Sequence, residues 1–155
     1  MNLNKELTST DALIKLSPST YWIGDLSYVM SKHWDRVCDQ MVDADEEHDG
    51  LFEIDGFNLW LHSTEYGDGI YQAKKNTLLK SKTPRSGFCV DAGIIGIVPL
   101  ALTDGTNADY SAGMTVTFAD VISCAYDEGL YSFKSGGKEL VIDGVPSILR
   151  ALEEA

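Results

Sequence analysis

Three aspartates share a setting that could support chemistry, because each stands at a glycine-containing turn after or between predicted strands: Asp25, Asp68 and Asp91. Glycine lets the backbone approach a ligand closely, and loop side chains at strand ends can point into a cleft. If the three turns meet, their carboxylates could hold a hard cation such as Mg²⁺, or two could divide the acid and base roles of a small hydrolase. The alternative is turn chemistry, in which each aspartate bonds to its own backbone.

A basic segment runs from Lys74 to Arg85 without a single acid, in a chain that is otherwise acidic. Cations that no acid compensates can bind phosphate groups, and aromatic rings can stack on a base. The predicted ligand-binding residues are Trp60, His62, Tyr71, Lys74, Lys75, Lys80, Lys82 and Arg85. The alternative is an exposed hairpin end whose lysines discourage edge-to-edge association of sheets.

An acidic segment from Asp35 to Asp55 contains nine acids and one base, Arg36. It could present phosphate-like charges to a basic partner protein, or it could be a solvated surface that keeps the protein soluble. The predicted partner-binding residues are Asp39, Asp43, Asp45, Glu46, Glu47 and Asp49. The net charge of the whole chain is −12, which disfavours direct binding to nucleic acid or to an anionic membrane surface.

Motifs for metal, cofactor or covalent chemistry are missing from the sequence. The three histidines lack the paired spacing of a zinc site, and the three cysteines form neither a zinc pattern nor a disulfide framework. There is no P-loop, no Gly-x-Gly-x-x-Gly turn and no Gly-x-Ser-x-Gly elbow. We therefore predict no bound metal and no cofactor. The acids near the N-terminus and the lack of a run of about 20 apolar residues predict a cytoplasmic protein without a membrane span.

The elements that must position these residues are mainly short strands. The pattern predicts a single α+β domain over residues 1–155, built on about seven to nine antiparallel strands arranged as a sheet, a sandwich or a partly closed barrel. Residues 31–42 have apolar spacing typical of a helix capped by Ser31. Residues 1–17 are predicted to be a flexible arm or a short helix. A short C-terminal helix is expected after Pro146, with its inner side formed by Ile148, Leu149 and Leu152.

Two strand signals are sharper than the rest. Asp55-Gly56 suits a two-residue hairpin turn between strands at 51–54 and 57–64. The nearly continuous apolar run at 94–98 predicts a strand that is buried on both faces.

Three segments follow one another in the chain: YWIGDLSYVM at 21–30, GDGIY at 67–71 and VDAGIIGIVP at 90–99. In this order they resemble a family of small uncharacterised proteins encoded mainly by bacteriophages and some bacteria. The resemblance implies a phage setting, a location in the host cytoplasm, and a role in host takeover or counter-defence. Such a role is played by binding a host protein or by sequestering a nucleotide signal.

Two classes of function follow from these patterns. The first is a binding protein whose partner is a host protein with a basic surface, or a small phosphate-bearing ligand held near the basic segment. The second is a small metal-dependent hydrolase that uses Asp25, Asp68 and Asp91. A minor structural protein is a third alternative, and the sequence leaves the assembly state open, a homo-oligomer included.

Overall fold

The fold is described by a computed structural model over residues 14–43, 50–78 and 87–154. Twelve strands form two five-stranded antiparallel sheets and one two-stranded ladder. This confirms the predicted α+β class with mainly antiparallel strands. The count exceeds the predicted seven to nine because five of the strands have only three or four residues, and two of these, Ile14–Leu16 and Ala73–Asn76, carry too little pattern to be predicted from the sequence.

Sheet A has the strand order β1-β10-β11-β12-β6. Its strands are β1 (Ile14–Leu16), β6 (Ala73–Asn76), β10 (Ile122–Asp127), β11 (Leu130–Ser135) and β12 (Lys138–Asp143). Because β1 is part of this sheet, the prediction of an arm or short helix is wrong for residues 14–16; residues 1–13 lie outside the described residues. The strand forms because Ile14 and Leu16 face the core while Lys15 faces solvent.

Sheet B has the strand order β3-β4-β8-β2-β9. Its strands are β2 (Thr20–Gly24), β3 (Gly50–Ile54), β4 (Phe57–Ser63), β8 (Ile94–Pro99) and β9 (Met114–Thr117). The hairpin between β3 and β4 turns at Asp55-Gly56 with positive φ at both residues, as predicted. The two-stranded ladder pairs β5 (Gly69–Tyr71) with β7 (Phe88–Val90).

The two large sheets pack face to face, and their facing side chains share one apolar core that includes Ile97 of sheet B and Phe133 of sheet A. A second core lies on the other face of sheet B, under helix α1 (Trp34–Asp43) and two short 3-10 turns at Leu26–Tyr28 and Leu100–Leu102. Sheet B is therefore an internal layer. Its central strand β8 is buried at every position, as the apolar run predicts. Over the described residues neither sheet closes into a barrel.

Helix α1 begins at Trp34, three residues later than predicted. The expected cap Ser31 instead bonds to Asp104 on a distant loop, through its N–H (2.9 Å) and its hydroxyl (3.0 Å). Two further helices are α2 (Asn107–Tyr110) and the C-terminal α3 (Ser147–Glu154). On α3, Ile148 and Leu152 are 70% and 67% exposed, so their predicted inward orientation is wrong. None of the helices among the described residues has the length and apolar composition to cross a membrane.

Candidate functional site

Asp25 lies directly after β2 and is completely buried. Its carboxylate accepts four hydrogen bonds: from the Ser27 N–H (2.9 Å) and hydroxyl (2.8 Å), and from the Asp91 and Ala92 N–H groups (both 2.7 Å). Burial raises the pKa of this carboxyl, and the four donors act in the opposite direction. Asp25 thus caps the first 3-10 turn and also fixes the turn between β7 and β8.

The turns that carry the other two aspartates lie next to this clamp. The Asp91 carboxylate accepts a 2.6 Å hydrogen bond from the Tyr28 hydroxyl. The pairing of Gly69 with Val90 brings the chain at Asp68 alongside the chain at Asp91, and the Asp68 side chain is exposed. The three turns therefore converge, as the hydrolase hypothesis requires. Among the described residues, however, no three His, Cys, Asp or Glu side chains are grouped so that they could hold a metal ion.

The aromatic residues expected to bind a ligand are divided between the core and its margin. Trp60 is 3% exposed and packs edge-on against Phe133 (ring centroids 5.7 Å apart). Tyr71 is fully buried, and its hydroxyl donates to the Gly67 carbonyl (2.7 Å). Both rings belong to the core shared by the two large sheets, so they do not form the wall of a ligand pocket.

His62 stands at the margin of the core in an aromatic cluster that the sequence did not indicate. Its ring stacks on Tyr126 (4.1 Å, 25°), and its Nδ1 lies 2.7 Å from the Ser63 carbonyl oxygen. The Tyr126 hydroxyl donates to Glu65; burial, and then this bond, raise the pKa of Tyr126. Tyr131 packs beside both rings. The cluster depends on the pairing of β10 with β11, which alternation within one strand cannot reveal.

The basic segment is described only in part. Lys74 is exposed, and Lys75 forms an ion pair with Glu139 (2.7 Å) across β6 and β12. That pair lies on the outward face of sheet A, away from Trp60 and Tyr71. Lys80, Lys82 and Arg85 lie outside the described residues.

The acidic segment places exposed carboxylates on α1. Asp35 and Asp39 are exposed and one helical turn apart. The one base, Arg36, donates two hydrogen bonds to Asp55 (2.8 and 3.1 Å), and this contact lowers the pKa of the Asp55 carboxyl. Asp43 ends α1, but its side chain is not described, and Asp45, Glu46, Glu47 and Asp49 lie outside the described residues.

Comparison with protein-family models, with curated proteins and with solved structures returns no significant match. What can be said about function therefore comes from the geometry of this chain.

Taken residue by residue, the candidate groups are engaged in holding the fold or lie on its surface. Asp25 and Asp91 connect turns, Trp60 and Tyr71 fill the core, and every buried side-chain nitrogen or oxygen among the described residues has a hydrogen-bond partner. The described openings at the surface are shallow. The acidic surface of α1 is the candidate whose groups face solvent, with Asp35 and Asp39 making no ion pair to any described residue.

Proposed function

We propose that this protein is a non-enzymatic binding protein that engages a basic surface of a partner protein through the acidic face of α1. The observation that carries this proposal is the double hydrogen bond between Arg36 and Asp55. Arg36, the only base in the acidic segment 35–55, is thus paired with an acid of the same segment. Among the described residues, the exposed carboxylates of Asp35 and Asp39 form no ion pair.

A second consideration is the energetic disadvantage of this arrangement for the helix. Like charges at positions i and i+4 destabilise a helix by roughly 0.2–0.5 kcal/mol. Asp35 and Asp39 have this spacing, and Asp39 lies beyond the first turn, where the helix dipole would favour an acid. A surface that only needs solubility could distribute the same charges without this repulsion.

The resemblance to phage proteins supplies the setting of the proposal: the partner is a host protein in the bacterial cytoplasm, and binding serves host takeover or counter-defence. The phosphate-bearing ligand has less support. Two of its three predicted rings are in the core, and Lys75 is paired with Glu139.

The test is a binding measurement with a partner captured from bacterial lysate on immobilised protein and then purified. The variant is Asp35→Lys with Asp39→Lys. The matched control reverses two exposed acids elsewhere, Asp120→Lys with Glu153→Lys. Each exposed charge contact contributes roughly 0.5 kcal/mol, and each reversal replaces an attraction by a repulsion. The expected loss is therefore about 2 kcal/mol at low salt, or roughly 30-fold in Kd.

The control should bind within about threefold of the wild type, and binding by the wild type should weaken steeply as salt rises. If the α1 variant binds as tightly as the wild type, or if no protein is captured above background, the proposal fails. Release of a small phosphate-bearing molecule from the purified protein, seen by native mass spectrometry, would overturn it in favour of ligand sequestration.

A further inference from the structure

The outward face of sheet A is a five-stranded surface on the opposite side of the molecule from α1, and no other element among the described residues covers it. The inner faces of its strands form the shared core, and α1 lies beyond sheet B. On the outward face the middle of the sheet is lined by small side chains. Ala125 and Ser132 pair across β10 and β11, and Val141 follows on β12. These residues form the floor of a shallow depression of about 300 Å³.

The charges on this face are balanced, whereas the chain as a whole carries −12. Three cations and three anions among the described residues lie on it or at its margin: Lys15, Lys75, Lys134, Asp127, Glu128 and Glu139. Two copies of an acidic protein repel each other over most of their surface. On this face a second copy could approach without net repulsion.

Charges are also separated along the strands: Lys134 lies 4.0 Å from Glu139, but that carboxylate is shared with Lys75, so this end of the face keeps a net positive charge. Lys134 lies opposite Ser123, towards the β11–β12 turn, while Asp127 lies four residues further along β10, beside Glu128. Four residues span about 13 Å in a strand. The Ala125–Ser132 pair lies midway between the cationic and anionic ends.

We propose that this face binds a second copy of the same chain in a two-fold symmetric dimer. In an isologous contact, residue i meets residue j while j meets i. The two-fold axis lies midway between the two faces and runs across the strands at the Ala125–Ser132 pair. It places the Lys134 end of one copy over the Asp127–Glu128 end of the other. The same contact is then made twice. The small side chains at the centre of the middle row let the two sheets approach to about 10 Å, as in a sandwich. Lys75 lies at the edge of the same row, where Glu139 of its own chain neutralises it.

The size of the face sets the expected strength. The five strands contain 25 residues, and at about 4.8 Å by 3.3 Å per residue they cover roughly 400 Å². Standard interfaces bury about 800 Å² per partner, so this one belongs among weak, reversible contacts. We expect a dimer that forms above roughly 10 µM. Its two α1 faces would point away from each other, giving two acidic surfaces in one particle.

Sedimentation velocity from 5 to 500 µM is the test, and the wild-type mass should rise towards that of a dimer. Ala125→Arg places a long cation at the axis and should leave a monomer at all concentrations. Ser132→Arg is a second variant at the same place should the first fail to fold. Thr115→Arg, on the exposed side of the edge strand β9, is the matched control and should dimerise as the wild type does. Circular dichroism and thermal melting confirm that each variant folds.

The contact between Lys134 of one copy and Asp127 and Glu128 of the other is tested by reversing these charges. Lys134→Glu alone, and Asp127→Lys with Glu128→Lys, should each weaken the dimer about tenfold, and the triple variant should recover wild-type association because both ends are reversed together. A wild type that stays monomeric at 500 µM overturns the proposal. So does a dimer that is unchanged in folded Ala125→Arg and Ser132→Arg, or a triple variant that does not recover.

Discussion

Replacing Asp25 by alanine tests whether this buried carboxylate is a clamp between distant turns. The substitution removes the acceptor of three backbone N–H groups, those of Ser27, Asp91 and Ala92, and of one hydroxyl. A buried donor left without a partner costs about 1–3 kcal/mol. If water enters the vacated space and satisfies part of this set, a loss of roughly 3–5 kcal/mol in the free energy of unfolding remains. That is a large part of the 5–15 kcal/mol typical of a whole domain.

The assay is urea denaturation at pH 7, followed by tryptophan fluorescence, with hydrogen exchange at the Asp91 and Ala92 amides. Two further variants remove fewer of these hydrogen bonds and should therefore lose less stability. Ser27→Ala deletes a single hydroxyl bond and should lose about 1 kcal/mol. Asp25→Asn keeps one acceptor oxygen and should fall between the two. A loss below about 1 kcal/mol for Asp25→Ala, or unchanged exchange at both amides, would refute the clamp.

Three smaller perturbations test other parts of the fold. Gly96→Ala in β8 should lose more than about 3 kcal/mol, because its Cβ would lie 2.3 Å from a backbone carbonyl oxygen of β4; a melting temperature within a few degrees of the wild type would contradict this. Burial alone would raise the pKa of Asp143, but bonds from Arg150 and a backbone N–H lower it. The pair's stability is therefore present above pH ~3.9 and lost as the pH falls through the lower folded value, so Arg150→Met should flatten the acid limb of the stability curve and lower the stability at pH 7; an acid limb as steep as that of the wild type would argue against it. Tyr28→Phe removes the bond to Asp91 and should lose about 1 kcal/mol in the same denaturation assay, whereas no measurable loss would mean that this exposed bond is not maintained in solution.

Local patterns were sufficient to predict much of the fold. The Asp55-Gly56 hairpin and the doubly buried strand β8 follow from turn chemistry and from an unbroken apolar run. Helix α2 could also have been found, since Thr106 and Asp109 form a capping box. The start of α1 could not, because the group that bonds the N–H groups of Ser31 and Lys32 is a side chain from a distant loop, Asp104.

The predictions of site residues were limited in the same way, because local patterns do not show contacts between distant segments. Glycine next to aspartate indicated turns but left open whether they meet, and it could not show that Asp25 would be saturated by donors from another turn. Alternation in β4 placed Trp60 and His62 on one face without showing that a second sheet covers it. The pairing of Arg36 with Asp55 spans a hairpin and so required the three-dimensional structure.

The register of sheet A has a consequence for how the chain folds during synthesis. Ile14 pairs with Cys124, so the first described strand must wait for the last third of the chain to leave the ribosome. The same holds for β6, whose only partner strand among the described residues is β12. Sheet B, whose last strand β9 is made earlier, can assemble first and expose the face that sheet A later covers. Nascent chains stalled when β9 but not β10 has left the ribosome should therefore present this apolar face to chaperones, and release of the complete chain should end that exposure.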